Sequence, residues 1–230
     1  MYLDSARSWT SRHKPCTPPV FSFLIVTSAG TRIVTDPFDP GDHVGRLGYK
    51  PFDEPADIVT VSHGHADHGK PEIVKGSPII IRGDGKFAAR EVEFLGVATY
   101  HDESSGAQRG RNTVYVIGAD GLRVAHMGDL GHVLTADQAV EIGMVDVALI
   151  PVGGFYTIDA AQASRVAEQI GAKIVIPMHF RNRQCSMPIA EVGEFLRERP
   201  NVIRQGSSML EVSAETLPNK PEMVVLEPAL

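Results

Sequence analysis

Apolar residues fall in short runs closed by glycine, proline or aspartate rather than in long helical stripes. Residues 21–26 (Phe-Ser-Phe-Leu-Ile-Val) and 31–35 read as two strands joined at Ser28-Ala29-Gly30, a hairpin. The sequence Asp-Pro-Phe-Asp-Pro-Gly at 36–41 breaks that sheet, and 41–56, rich in glycine and proline, reads as a long loop. Further strands are predicted at 57–62, 78–82, 92–100, 112–118 and 122–127, the last two meeting at the hairpin signal Asp120-Gly121. The second half alternates. A buried strand at 145–151 precedes a helix at 159–170, with Ala160, Ala163, Val166, Ala167 and Ile170 on one side and Thr157 or Asp159 as N-cap. A strand at 173–177, a helix at 189–197 and short closing strands at 209–212 and 223–226 complete it. Residues 1–19 are the least regular and are expected to wrap the surface. Hairpins followed by alternating strands and helices predict two packed sheets with helices outside, folded as one domain over 1–230.

Composition narrows the class. The chain has 230 residues, 43% apolar and 22% charged, the balance of a soluble globular protein, and too apolar for disorder. No apolar run is long enough to cross a bilayer. Residues 1–19 hold Arg7, Arg12, His13, Lys14 and three prolines with no apolar block, so a secretory signal is not expected and a cytoplasmic location is. A formal charge of −6 argues against binding nucleic acid by bulk charge. Cys16 and Cys185 lie far apart and form no CxxC, so two free thiols are expected.

Histidine changes the picture. Of nine in the chain, His63, His65 and His68 fall within six residues, in Ser62-His63-Gly64-His65-Ala66-Asp67-His68-Gly69, at the end of a predicted strand. In extended backbone His63 and His65 project to one side, so both imidazoles can reach one ion. Asp67 and His68 project differently and can serve a second ion if the chain turns there. Imidazole with carboxylate suits zinc, with manganese or iron as alternatives.

This H-x-H-x-D-H segment resembles the signature of the metallo-β-lactamase superfamily. The likeness extends over almost the whole chain. Residues 31–38 (Thr-Arg-Ile-Val-Thr-Asp-Pro-Phe) resemble the first motif with Asp36 as its acid. Tyr100-His101-Asp102 is similar to the third motif, Gly128-Asp129-Leu130-Gly131-His132 to the fourth and Pro177-Met178-His179-Phe180 to the fifth. Residues 153–159 (Gly-Gly-Phe-Tyr-Thr-Ile-Asp) resemble the branch of metal-dependent hydrolases that includes ascorbate-phosphate lactonases. That branch commonly carries Gly-His before the Phe-Leu-Ile strand, where this chain has 14–20 (Lys-Pro-Cys-Thr-Pro-Pro-Val).

The resemblance implies a mixed α/β (α+β) fold, a four-layer αββα sandwich with two similar halves, and a binuclear centre. His63, His65 and His101 would hold the first metal, and Asp67, His68 and His179 the second. Asp129 and a water or hydroxide would bridge both. Two divalent ions would outweigh these acids and a hydroxide by about one positive charge, drawing in an electron-rich carbonyl or phosphoryl oxygen. The expected activity is hydrolysis of an ester-like bond, a lactone by preference, in a small, anionic metabolite. A phosphodiesterase and a non-catalytic metal-binding scaffold are the alternatives. Asp67 would also orient the nucleophile.

Other residues are candidates beside this set. Asp36 would support the histidine loop by hydrogen bonds. His132, three residues after Asp129, would donate a proton to the leaving group. His126 in strand alternation reads as a core histidine. Arg109, Arg111 and Asn112, with Arg181 and Arg183, read either as a clamp for a substrate anion or as solvated charge. Tyr156 would offer a hydroxyl, and Gly153-Gly154 would let backbone approach a ligand. His13 and His43 read as structural or surface residues.

Overall fold

A computed structural model of the chain describes residues 2–4, 22–39, 41, 47–49 and 52–227. His13, Cys16, His43, the 14–20 stretch and most of 1–19 lie outside the described residues. The strands are β1 (Tyr2–Asp4), β2 (Phe23–Val26), β3 (Arg32–Thr35), β4 (Ile58–Val61), β5 (Ile79–Arg82), β6 (Gly85–Ala89), β7 (Val92–Tyr100), β8 (Arg111–Ala119), β9 (Leu122–His126), β10 (Val147–Pro151), β11 (Ile174–Met178), β12 (Val202–Arg204), β13 (Met209–Glu211) and β14 (Glu222–Val225). The helices are α1 (Ala136–Ile142), α2 (Ala160–Gln169) and α3 (Val192–Leu196). One sheet has the order β13-β1-β2-β3-β4-β5, and the other β12-β14-β11-β10-β9-β8-β7-β6. The expected irregularity of 1–19 gives way at 2–4, where β1 pairs with both β2 and β13.

Strand alternation builds the space between the sheets. In β2, Phe23 and Ile25 join the main core while Leu24 faces the other way, and in β3 Ile33 and Val34 divide likewise. The central strands β10 and β11 are buried at every position, Val-Ala-Leu-Ile-Pro beside Ile-Val-Ile-Pro-Met. They run parallel to each other, and β9 runs parallel to β10. Such continuous apolar runs belong to parallel strands covered on both faces. Helix α2 covers part of this sheet with Ala163, Val166 and Ala167. The outer face of the first sheet is closed differently. Leu24, Val34, Val59 and Val61 pack under Phe52, Ala56 and Val74, which come from loops and from the end of a 3-10 turn at Pro71–Ile73. The layering is that of an αββα sandwich in which, among the described residues, α1 and α2 pack on the second sheet while loops and the 3-10 turn take the place of the outer helical layer on the first. No helix among the described residues is long and apolar enough to cross a membrane.

Helix α2 begins where the sequence places its cap. The Asp159 carboxylate accepts from Gln162 N at 2.8 Å, and the Gln162 side chain accepts from Asp159 N at 3.0 Å. This reciprocal box satisfies two otherwise orphaned amides. Asp159→Ala should cost about 1 kcal/mol, a fall of roughly 2–4 °C in Tm for a chain of this size, readable by calorimetry.

Candidate metal centre

The residues of interest follow the carboxyl ends of strands from both sheets, the common place for ligands in α/β folds. Asp36 directly follows β3, and the His63–His68 segment follows β4. His101 directly follows β7, Asp129 lies just beyond β9, and His179 directly follows β11. The five histidines come from three strand ends, yet they surround one carboxylate.

Asp129 is at the middle. Its Oδ2 lies 3.0 Å from His101 Nε2 and 3.8 Å from His63 Nε2. Its Oδ1 lies 3.1 Å from His68 Nε2 and 3.6 Å from His179 Nε2. Each carboxylate oxygen thus faces its own histidine pair. His65 completes the first side: its ring centre is 4.7 Å from that of His63 and 5.2 Å from that of His101. Ligand atoms of His63, His65 and His101 all lie within 4.8 Å of one another, as do those of His68, Asp129 and His179.

The donor set fits divalent metal. His63 Nε2 and Asp129 Oδ1 are buried with no hydrogen-bond partner, which is costly for atoms that an ion would not satisfy. Without a cation the cluster is also electrostatically uneven. Burial, reinforced by the nearby His68 charge, pushes His63 down to about 4. Burial acts the same way on His68, but the Asp129 charge and the hydrogen bond to Asp36 outweigh it and push His68 up to about 10. Burial opposes the charge of Asp129, yet the surrounding histidines, His68 first, hold its carboxyl well below the ordinary range. His65 and His179 are both lowered, chiefly by burial.

A further set of groups orients these ligands. Asp36 is fully buried at φ +44° and accepts from Ser62 N at 2.7 Å, from the Ser62 hydroxyl and from His68 Nδ1 at 3.0 Å. Because the Ser62 hydroxyl donates to Asp36, it accepts from His63 Nδ1 at 2.9 Å. One acid therefore sets both imidazoles with Nδ1–H outward and Nε2 toward Asp129, the tautomer control that supporting carboxylates give metal-binding histidines. Asp36 also takes part in a third grouping, with His63 and His68. Its oxygens are already committed to Ser62 and His68, so it supports the ligands and does not join them. Ser62 escaped the sequence reading. Its signal was its place, directly before His63 on the same strand end.

Asn112 is buried and spent on structure, not exposed to clamp a substrate. Its amide donates to Thr99 Oγ1 and to the Met127 carbonyl, and its oxygen accepts from Asp129 N at 3.0 Å. Two glycines allow backbones to meet behind the ligands. A Cβ on Gly131 would lie 2.2 Å from the His101 carbonyl carbon, and one on Gly153 would lie 2.2 Å from the His179 oxygen. His179 itself holds φ +53°, a strained setting for a non-glycine residue and one that recurs at functional sites.

The remaining candidates divide. Asp67 is half-buried and its charge raises His65, His68 and His179, but it stands outside the tight groupings. His132 does not reach the cluster as a free acid. Its Nε2 accepts from Tyr100 N at 3.2 Å and its Nδ1 donates to the Val133 carbonyl at 2.8 Å, so both ring nitrogens hold backbone. The proton-donor reading of His132 is corrected on that ground. His126 is fully buried, edge-on to Phe23, with Nδ1 3.9 Å from Asp36 Oδ2. Arg181 pairs with Glu191 at 3.1 Å, and Arg111 and Arg183 are exposed. Arg109 lies over the ring of Tyr156. Cys185 is buried, which raises its thiol.

The chain is similar to known proteins over most of its length. Residues 21–179 match the family model described as a beta-lactamase superfamily domain. The chain is 32% identical to a UPF0173 metal-dependent hydrolase of Methanospirillum hungatei over 181 residues, covering 68% of this chain and 78% of that protein. A UPF0173 metal-dependent hydrolase of Carboxydothermus hydrogenoformans is 28% identical over 233 residues, covering 88% and 96%. Among solved structures, a metallo-beta-lactamase superfamily protein of Thermotoga maritima is 34% identical, with a TM-score of 0.76 and 98% of each chain covered.

Proposed function

This chain belongs to the metallo-β-lactamase superfamily and is a metal-dependent hydrolase, and from that premise we propose that it opens an ester-like bond, a lactone by preference, in a small anionic metabolite, using two divalent ions. The observation that supports two ions is the carboxylate of Asp129, each of whose oxygens faces a different histidine pair. His63, His65 and His101 would hold one ion, Asp67, His68 and His179 the other, and Asp129 both. Zinc suits imidazole-rich sites, with manganese or iron as alternatives, and zinc-dependent hydrolysis has been suggested for the Thermotoga maritima relative. Ions held there would act as Lewis acids and lower the pKa of a bound water to about 7.

The chain's own groups do the rest. Asp36 and Ser62 keep the Nε2 atoms of His63 and His68 pointed inward. Asp67, half-buried and close enough for its charge to raise His65, His68 and His179, would orient the attacking water by accepting a hydrogen bond from it. His132 ties the end of β7 to the loop after β9 through its two backbone bonds. The lactone preference rests on the likeness of residues 153–159 to the lactonase-containing branch.

The test is metal analysis joined to a substrate screen. Metal-free protein is reconstituted with zinc, manganese or iron and offered lactones, thioesters and phosphodiesters. The expected result is two ions per chain and turnover of lactones. Turnover of phosphodiesters alone would replace the substrate class, and one ion with no turnover would indicate a binding scaffold.

A further inference from the structure

Beside the metal centre lies a cleft of about 220 Å³ whose lining includes Asp102, Glu103, Arg109, Phe155, Tyr156 and Gln162. It shares a wall with the centre. Asp102 is the neighbour of His101, and Gly131, which also lines the cleft, presses against the His101 backbone.

The acids of this cleft are already engaged. The Asp102 carboxylate accepts four backbone N–H groups, from Ser104 at 2.7 Å, Gly106 at 2.9 Å, Gln108 at 3.0 Å and Arg109 at 2.7 Å. That wraps the loop after β7 around one buried charge and fixes the backbone from which Arg109 projects. Glu103 accepts from Gln162 Nε2 at 2.6 Å. Arg109, in contrast, has no carboxylate partner among the described residues. Its guanidinium rests 5.8 Å from the ring centre of Tyr156, a cation–π contact that holds it in place and leaves its N–H donors available.

Beside Tyr156 the lining gains an exposed aromatic ring on a strained turn. Phe155 is 65% exposed and holds φ +62°, bracketed by a hydrogen bond from Tyr156 N to the Gly154 carbonyl at 2.7 Å. A bulky residue in that tight three-residue turn is held against its own preference. The turn sets the Phe155 ring edge-on to Tyr156, with centres 4.7 Å apart. A backbone setting of this kind persists only where surrounding structure enforces it, and such strain clusters at ligand clamps.

We propose that this cleft is the substrate-anchoring subsite, in which Arg109, steadied on Tyr156, binds a carboxylate or phosphate group of the substrate while Phe155 covers its apolar or planar part. The proposal rests on the hydrolase reading for its link to turnover and supplies the substrate class: an anionic group carried next to the bond that is cleaved. Arg109 is a specificity residue, since it touches the substrate away from the reacting atoms.

Binding is measured by ligand-observed NMR on the full chain, as isolated and after metal removal, with benzoate, phenyl phosphate and neutral benzyl alcohol as probes. Arg109→Gln is expected to weaken at least one anionic probe by about tenfold or more, the scale of a lost charge-assisted contact, and to leave benzyl alcohol unchanged. The probe that loses more tells carboxylate from phosphate. Phe155→Ala is expected to weaken all three alike. An anion lodged on the imidazoles would be indifferent to Arg109→Gln, and that indifference would overturn the proposal. So would equal loss of the neutral probe in Arg109→Gln, which marks a merely structural residue, or no binding of any probe. Binding is read without turnover, so an inactive substrate panel would sink the hydrolase reading while leaving this result standing.

Discussion

Asp129→Asn is expected to empty the two-ion centre proposed above and to end turnover, while the protein stays folded. Asparagine has the same shape, and Asn112 holds residue 129 through its backbone N–H, which the substitution keeps. What changes is the charge and the donor set. An amide nitrogen cannot replace a carboxylate oxygen as a metal ligand, and one of the two histidine pairs would then face N–H groups. Loss of a mere supporting partner costs about 10–100-fold in metal affinity, and loss of a shared ligand should exceed that on both sides at once. Asp67→Ala is the comparison: it should release only the second ion and also abolish turnover. Elemental analysis of the two variants, with circular dichroism as the folding control, reads the difference. If Asp129→Asn protein still carried two ions, the sharing of that carboxylate would be refuted.

Asp36→Ala should produce the largest loss of stability away from the ligands. The side chain is fully buried, and its removal strands the Ser62 amide, the Ser62 hydroxyl and His68 Nδ1. Removing one partner of a buried charged pair costs about 3–5 kcal/mol, or a fall in Tm of roughly 10 °C for a chain this long. Metal affinity should fall as well, by about 10–100-fold, because His63 and His68 lose the groups that fix their tautomers. Calorimetry on metal-free protein isolates the folding term, and a metal titration reads the other. An unchanged Tm would mean that Asp36 is not the support described.

The local part of this centre was readable because it is local. His63, His65, Asp67 and His68 sit within one strand end, so their spacing alone told that they could share ions. His101, Asp129 and His179 follow three other strands, and no periodicity brings them together; only family resemblance did. His132 misled for the opposite reason. A histidine three residues after the central acid looks available, but the fold brings the end of β7 against it, so that both its nitrogens hold backbone.

The same contrast governs the secondary structure. β7 was legible to the residue because Val92–Tyr100 is a run rich in strand-forming residues whose buried positions alternate at Val92, Phe94 and Gly96 and again at Val97 and Thr99, and α2 because its buried alanines and valine fall on one side. α1 went unseen: Ile142 is its one buried residue, and Val140 is 82% exposed, so it shows no apolar face. Its Thr135–Gln138 capping box was the overlooked signal. β6 and β12 are edge strands with little burial, where side-chain pattern carries least information.

Gly131 and Gly153 have a consequence for anyone redesigning this enzyme. Main chain touches main chain behind His101 and behind His179, so the segments carrying them behave as interlocked pieces and not as exchangeable modules. Transplanting one segment from a relative would jam against its neighbour unless the matching segment travelled with it. New reactivity is therefore more accessible by altering side chains in place at the mouth of the site.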